Sequence, residues 1–429
     1  MKYKFSKYNQ EFRHKGGRYL YNFYTGAIAE LPADAVGGEI SPGDYSPEEL
    51  TFLHGKGFVV QEEVDEVKRL EFMHLAGKFQ SSSLGLTVIP TLECNFACAY
   101  CYENGVKQAA MDKNVLDAIF SFADRKIRKD AVKDVHLNIL GGEALLRPEL
   151  VGEILDRMEL LRDKYGFSLA IQMITNGYFL DGAMIDRLRL AGRVRQVQVT
   201  FDGFGDSHDR VRRQRGGGGS FGRILDNLRA AMDKGLTLAV RYNLTESNFQ
   251  DAKKLLRLLC SLEKKPFIYF GHVKDYKNTG SCKSVACMTR ARYSAADLEL
   301  MRCASDLGLR TDCLPALSYN HCVADTVNGY TIDPRGDLFK CWNDVGRREL
   351  SFGNILAPEG EIISREENFY GHILSDPFQT SCRECKLMPV CTGGCPMERK
   401  EGKDKACSKH KFQSDEFAKI YLEARGSAR

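Results

Sequence analysis

The sequence predicts an α/β protein: a partial barrel of six β–α units, preceded by a small N-terminal module and followed by a cysteine-rich C-terminal region. Three observations carry this reading. From about Leu84, strand-length apolar segments alternate with helix-period stretches. Near Cys282 the alternation stops, and cysteine, glycine and polar turns take over. Ten of the fifteen cysteines fall into two groups, at 94–101 and 322–407. The expected boundaries are 1–80, 84–280 and 281–429.

A chain of 429 residues has room for two or three cores. Its 43% hydrophobic and 28% charged content is ordinary for a globular protein. A formal charge of +4, without Lys/Arg blocks interleaved with aromatics, argues against a nucleic-acid binder. No apolar run reaches the roughly 18–20 residues of a membrane span. The start MKYKFSKYNQEFRHKGG lacks the apolar stretch of a secretory signal. The expected compartment is the cytoplasm, where disulfides are disfavoured and closely spaced thiols hold metal.

In residues 1–80, Lys4–Tyr8 and Tyr19–Tyr24 flank a Gly16-Gly17 turn, the chemistry of a hairpin. A second turn and an acidic, helix-prone stretch follow from Pro47 to Arg69. Residues 1–80 read as a small separate module, for which the simplest account is a decoration packed on the main domain.

Strands of the barrel are expected at Gly85–Thr91, Val135–Leu140, Leu169–Ile174, Val197–Phe201, Leu236–Asn243 and Phe267–Gly271. Between them lie helical stretches such as Lys113–Lys129, Glu149–Lys164, Phe221–Lys234 and Phe249–Leu262. The strands are apolar nearly throughout, as when both faces of a parallel sheet are covered. Right-handed crossovers then give a sheet that curves into a partial barrel. The Gly216–Gly219 run lies inside a β–α connection, so it reads as a native loop over the barrel mouth rather than an engineered linker. Cys260, within LLRLLCSL, reads as a buried core thiol.

Directly after the first barrel strand, TLECNFACAYCYENG places Cys94, Cys98 and Cys101 on one short loop. Four thiolates saturate a [4Fe–4S] cluster; three leave one iron open to a chelating small molecule. Zinc would want a fourth ligand nearby, and His74 is not obviously placed to provide it.

This triplet, with the aromatic Tyr100 before its last cysteine, resembles the signature of the radical SAM superfamily. The resemblance implies that the open iron binds S-adenosylmethionine and that electron transfer yields a 5′-deoxyadenosyl radical. Further motifs sit at the C-terminal strand ends, where such barrels keep their active sites. They are Gly141-Gly142-Glu143, Thr175-Asn176-Gly177, Asp202-Gly203 after Thr200, and Arg241 with Asn243. The run His208-Asp209-Arg210-Val211-Arg212 matches a family pattern that retains its last arginine. Glu143 is expected to meet the substrate ammonium and Arg212 its carboxylate, with Tyr100, Gly141, Gly142, Asn176, Thr200, Asp202 and Arg241 completing the pocket. The proline usual after that glutamate is Ala144 here. Singly each motif could be turn chemistry; in order, behind the triplet, they are specific.

The C-terminal region reads Cys322, Gly336, Cys341, then Cys382-x2-Cys385-x5-Cys391-x3-Cys395, then Cys407. A zinc ribbon is the alternative, but seven cysteines fit it poorly. The pattern resembles the SPASM domain, which implies two auxiliary [4Fe–4S] clusters and three clusters in all. By that resemblance Cys382, Cys385, Cys391 and Cys407 close one, and Cys322, Cys341 and Cys395 hold the other. Its fourth ligand is Cys313, or its last iron is open.

Radical SAM/SPASM enzymes mostly modify ribosomally made peptides. The N-terminal module resembles their winged-helix-like precursor-recognition element, which captures a leader by strand addition; Tyr19–Phe23 is the expected edge. The function implied is maturation of a precursor peptide by Cys thioether crosslinking, fed by a flavodoxin- or ferredoxin-type electron donor. Carbon–carbon crosslinking of side chains is the alternative. Sulfatase-maturase-like oxidation is disfavoured because Trp342 stands where that family has an aspartate base. The non-enzymatic alternative is a zinc- or cluster-organised peptide-binding scaffold.

Overall fold

The computed structural model describes residues 2–31, 42–191, 194–275, 282, 285–311, 314–319, 322–400 and 406–426. The chain divides into two units: residues 1–79, 312–326 and 373–429 in the first, residues 80–311 and 327–372 in the second. The expected three consecutive segments are therefore interleaved, with the two chain ends sharing one unit.

The first unit opens with strands β1 (Tyr3–Phe5), β2 (Asn9–His14), β3 (Gly17–Asn22), β4 (Ile28–Leu31) and β5 (Val59–Gln61) and helices α1 (Pro47–Gly55) and α2 (Glu66–Phe79). A hairpin does turn at Gly16, where φ is +83°, but its first arm is β2, not Lys4–Tyr8. The Lys4 segment pairs with β5 instead. Tyr19–Phe23 is not an edge: β3 lies between β2 and β4. The reason is local. Asn22 Oδ1 accepts from the Tyr24 and Thr25 amides at 2.9 Å each, tightening a turn that folds Ile28–Leu31 back onto β3. The acidic stretch is two helices, the first starting in a Ser46/Glu49 capping box.

The second unit holds β6 (Ser83–Val88), β7 (Asp134–Ile139), β8 (Ser168–Thr175), β9 (Val194–Phe201), β10 (Leu238–Leu244) and β11 (Phe267–His272). They are parallel and in sequence order across the sheet. The crossover helices are α3 (Lys113–Lys129), α4 (Pro148–Tyr165), α5 (Gly182–Leu190), α6 (Asp206–Val211), α7 (Phe221–Asp233) and α8 (Phe249–Cys260). Their ends carry ordinary signals. Asp112 and Asp181 cap the Val115 and Met184 amides, Pro148 opens α4, and Gly166 closes it at φ +74°.

Two features exceed the sequence reading. The alternation does not stop at Cys282, because a further helix α9 (Arg290–Asp306) follows β11, capped by Thr289. The sheet also continues beyond β6. Strand β12 (Gly329–Ile332) pairs parallel to it, and β13 (Asp337–Phe339) and β14 (Gly353–Asn354) pair antiparallel after that. Cys282 and Cys287, Cα atoms 5.4 Å apart, are joined in a disulfide rather than kept as thiols. Cys260 is half-buried, its thiol donating to the Leu307 carbonyl at 3.0 Å.

The first unit is completed by α10 (Pro396–Lys400) and α11 (His410–Gly426). Its apolar core joins Tyr8, Phe12, Tyr21, Phe23 and Leu70 to Phe378, Leu387, Met388 and Ala418. Among the described residues, no helix is long and apolar enough to cross a membrane.

Candidate active site

The loop after β6 carries three thiols on a backbone that is closely fixed. The Cys101 amide donates to the Cys98 carbonyl at 3.2 Å, and the Phe96 amide reaches Cys94 Sγ at 3.4 Å. Two backbone bonds, Ala97 to Arg213 and Arg215 to Asn95, pin this loop to the segment before Gly216, at 2.8 Å each. Arg215 Nε adds bonds to the Cys94 and Phe96 carbonyls at 3.1 Å. The far end of the glycine run is anchored as well. Asp209 Oδ1 accepts from the Ser220 and Phe221 amides at 2.7 and 2.9 Å, starting α7.

The two glycines of Gly141-Gly142-Glu143 serve this loop. A Cβ on Gly141 would sit 2.4 Å from the Thr91 carbonyl oxygen, and one on Gly142 2.4 Å from that of Glu93. The Gly142 and Glu143 amides donate to those same carbonyls at 3.1 and 2.8 Å. The close approach these glycines permit is to the backbone that leads into Cys94. Glu143, buried, accepts from Thr175 Oγ1 at 2.8 Å, the Leu145 amide at 3.0 Å and the Asn176 amide at 2.7 Å. It ties the end of β7 to the end of β8; a carboxylate has about four acceptor positions, so one is left for a ligand donor.

Beside this lies a buried polar network. Asp202, at the end of β9, is fully buried. Its carboxylate accepts from the Tyr100 hydroxyl, from Arg212 Nη1 at 2.9 Å and from the Asn243 amide at 3.2 Å. The Tyr100 hydroxyl in turn accepts from Arg212 Nη1 and Asn243 Nδ2, both at 3.0 Å. Arg241 Nε donates to Asn243 Oδ1 at 2.8 Å, in space left by Gly271. Thr200 pairs with Arg241 in the β9–β10 register. Asn248 braces the ensemble through the Asp202 and Asn243 carbonyls at 3.0 and 2.9 Å. Burial opposes the charge on the Arg212 guanidinium, but its surroundings, above all the Asp202 carboxylate in direct contact with it, hold it well above its usual range.

Two buried donors here, Arg212 Nε and Asn95 Nδ2, have no hydrogen-bond partner among the described residues. Buried donors left unpaired are costly, so they fit an anionic or carbonyl ligand group, such as the carboxylate of S-adenosylmethionine. Asn95, whose Oδ1 accepts from Asn176 Nδ2 at 2.8 Å, was not among the expected site residues, nor was Asn248. Only adjacency to Cys94 could have drawn attention to Asn95.

Burial pushes the Cys94 and Cys101 thiols up to about 12, with Glu143 and Glu103 respectively adding negative charge. Thiols so placed ionise only against a compensating cation, which suits a metal-held thiolate set. Trp342 belongs to an apolar cluster with Leu92, Tyr102 and Val106, so it packs.

His208 is also fully buried, with Nδ1 accepting the Asp202 amide at 3.3 Å. Burial, aided by Arg212, pushes its imidazole down to about 4. A folded value below the ordinary 6.5 favours neutral His208. Its contribution is full above about 6.5 and is lost as pH falls toward about 4, on the order of 3 kcal/mol in all. In urea denaturation, His208→Gln should lose less stability than the native chain over that acid interval. Equal losses would show that His208 does not titrate with unfolding.

In the first unit, Cys382, Cys385, Cys391 and Cys407 border one cavity of about 270 Å³, together with Leu387, Met388 and Lys411. Among the described residues no three His, Cys, Asp or Glu side chains converge to the span of a single ion. The four thiols instead line one shared cavity, with Lys411 Nζ 3.8 Å from Cys385 Sγ. Donor number and shared cavity fit a closed iron–sulfur cluster. Cys322 and Cys395 belong to the first unit and Cys341 to the second. Cys313 lies outside the described residues. His74 belongs to the first unit and the Cys94 group to the second.

Comparison with known proteins bears on the second unit most directly. Residues 88–259 match the radical SAM superfamily. A pre-heme d1 synthase of Dinoroseobacter shibae is 27% identical over 212 residues, 47% of each chain. The sporulation killing factor maturation protein SkfB of Bacillus subtilis is 23% identical over 185 residues, 43% of this chain and 42% of its own. The matched region therefore spans less than half the length of these curated relatives. Among solved structures, anSMEcpe with bound AdoMet has a TM-score of 0.61 at 17% identity, covering 81% of this chain and 95% of its own. Streptococcus suis SuiB bound to precursor peptide SuiA has a TM-score of 0.55 at 14% identity, covering 92% and 96%. These two likenesses are likenesses of fold.

Proposed function

Residues 88–259 are a radical SAM domain, and from that premise we propose that the chain is a peptide maturase that crosslinks a ribosomally made precursor in the cytoplasm. The observation that carries the reading is one convergence. The loop of Cys94, Cys98 and Cys101 meets the Gly141–Glu143 turn and the Tyr100–Asp202–Arg212–Asn243 network at the C-terminal ends of the parallel strands.

Cys94, Cys98 and Cys101 would hold a [4Fe–4S] cluster. When bound, it supplies the electron that cleaves S-adenosylmethionine to a 5′-deoxyadenosyl radical. Arg212 and Asn95 offer donors to the carboxylate of that cosubstrate, and Glu143 an acceptor to its ammonium. Asp202 and Tyr100 fix the Arg212 guanidinium through a shared set of bonds, so that its orientation is set before the ligand arrives. Cys382, Cys385, Cys391 and Cys407 would hold one auxiliary cluster, and Cys322, Cys341 and Cys395 a second, whose fourth position is either taken by Cys313 or left open.

The product favoured is a thioether. One hydrogen of a substrate C–H leaves on 5′-deoxyadenosine and the cysteine S–H gives up a proton. The carbon–sulfur bond then forms as one electron passes to an acceptor in the protein. A peptide substrate is supported by the relatives: SkfB is a maturation protein, and SuiB was captured with its precursor peptide. The external donor would be of flavodoxin or ferredoxin type.

The test is anaerobic. The reconstituted chain is expected to bind iron and absorb broadly near 400 nm. It should form 5′-deoxyadenosine with dithionite, and lower the mass of a Cys-containing precursor by two hydrogens per crosslink. A fully loaded protein that leaves S-adenosylmethionine intact would rule the enzyme out in favour of a binding scaffold. Crosslinks that still form on a precursor whose cysteines were all alkylated beforehand would point to carbon–carbon joining.

A further inference from the structure

A second concentration of buried charge lies in the first unit, where helix α2 meets two cysteine-bearing turns. The side chains of Lys78, Asp325 and Arg399 are 2%, 0% and 7% exposed. Asp325 Oδ1 lies 3.5 Å from Lys78 Nζ and 3.0 Å from Arg399 Nη2. Each partner is also bound to backbone. Lys78 Nζ donates to the Ile373 and Ser375 carbonyls at 3.0 and 3.2 Å, and Arg399 Nη1 to those of Gly394 and Thr392 at 2.6 and 3.1 Å.

The two turns so joined each begin at a cysteine. The Asp325 amide donates to the Cys322 carbonyl at 2.9 Å, and the Arg399 amide to the Cys395 carbonyl at 3.1 Å. One turn of helix before Lys78, His74 Nδ1 lies 2.5 Å from the Tyr319 carbonyl, so α2 grips the same segment twice. Burying three ions is expensive, and apolar side chains would fill the space at least as stably. What the ions add is direction: a guanidinium fork and a carboxylate fix the two backbones in one relative orientation.

We propose that Lys78, Asp325 and Arg399 are positioning residues, a buried clamp that sets the Cys322 and Cys395 turns against each other so that both thiols serve one iron–sulfur cluster. The inference rests on the reading of Cys322 and Cys395 as ligands. It also makes α2, and with it the N-terminal module, part of the cluster's scaffold rather than a detachable recognition domain. Asp325→Asn keeps the shape and removes the charge; Lys78→Met keeps the length and the apolar stem.

The experiment compares the anaerobically reconstituted full chain with these two variants and with Cys322→Ala and Cys395→Ala. Iron content, the electron paramagnetic resonance spectrum of the dithionite-reduced protein and far-ultraviolet circular dichroism are measured for each. The expected result is that Asp325→Asn and Lys78→Met lose the same share of iron and the same spectral component as the two cysteine variants, at native helix content. Full iron and an unaltered spectrum in both clamp variants, with loss in the cysteine variants, would overturn the clamp while leaving the ligand reading intact. Full iron in the cysteine variants would overturn the ligand reading, and the clamp with it. Loss of all iron together with helix content in both clamp variants would also overturn it, by showing a general folding role.

Discussion

Gly142→Ala should yield a chain that folds, is less stable by about 1–3 kcal/mol, and loses the iron proposed for Cys94, Cys98 and Cys101. The added methyl would lie 2.4 Å from the Glu93 carbonyl oxygen and 2.7 Å from that of Leu92. Neither atom can swing away as a flexible side chain could, because both belong to the strand exit that feeds Cys94. Relief must come from separating the Gly142–Glu143 backbone from residues 91–93, breaking bonds at 3.1 and 2.8 Å. Formation of 5′-deoxyadenosine should fall by on the order of tenfold or more, since each 1.4 kcal/mol of misplacement costs about that factor. Iron content and 5′-deoxyadenosine yield check the claim; a variant matching the native chain in both would refute the close-packing argument.

Asp202→Asn should separate binding of the cosubstrate from binding of the iron. The carboxylate carries three donors at once, and without its charge the buried Arg212 guanidinium loses its anion. Leaving one partner of a buried ion pair uncompensated costs about 3–5 kcal/mol, part of which the site recovers by rotating Arg212 away. The variant is expected to keep the iron of the Cys94 loop, because none of the Asp202 bonds given above goes to a cysteine. Its affinity for S-adenosylmethionine should drop by on the order of a hundredfold or more, at 1.4 kcal/mol per tenfold. Equilibrium binding to the reconstituted protein measures this. Unchanged affinity would remove Arg212 from the ligand pocket.

The barrel was legible because its signals are local and repeated. Helix α3 spans Lys113–Lys129 as its periodicity indicates, and β11 begins at Phe267 where the apolar run begins. Of the closely spaced cysteines, Cys382, Cys385, Cys391 and Cys407 line one cavity in the structure, a grouping their spacing along the chain already suggested. The N-terminal strand order was not legible. Lys4–Tyr8 and Asn9–His14 are both short and half-polar, and which of them pairs with β3 depends on β5, more than fifty residues after β1. Strands β12 to β14 escaped notice because they are two to four residues long and contain glycine, aspartate and asparagine. The network around Asp202 was partly legible as strand-end polar residues. That Tyr100 would be its hub required knowing how the Cys94 loop, the ends of β9 and β10 and the segment after α6 meet in space.

The extra strand β12 has a consequence for how the second unit opens. Because β12 pairs with β6, the strand leading into Cys94 has a hydrogen-bonded neighbour on both sides and is not the rim of the sheet. Rim strands fray at little cost, whereas interior ones exchange their amide hydrogens only in the largest openings. Leu84–Val88 should therefore be among the slowest-exchanging amides of the chain. The Cys94 loop springs from the part of the sheet that comes apart last.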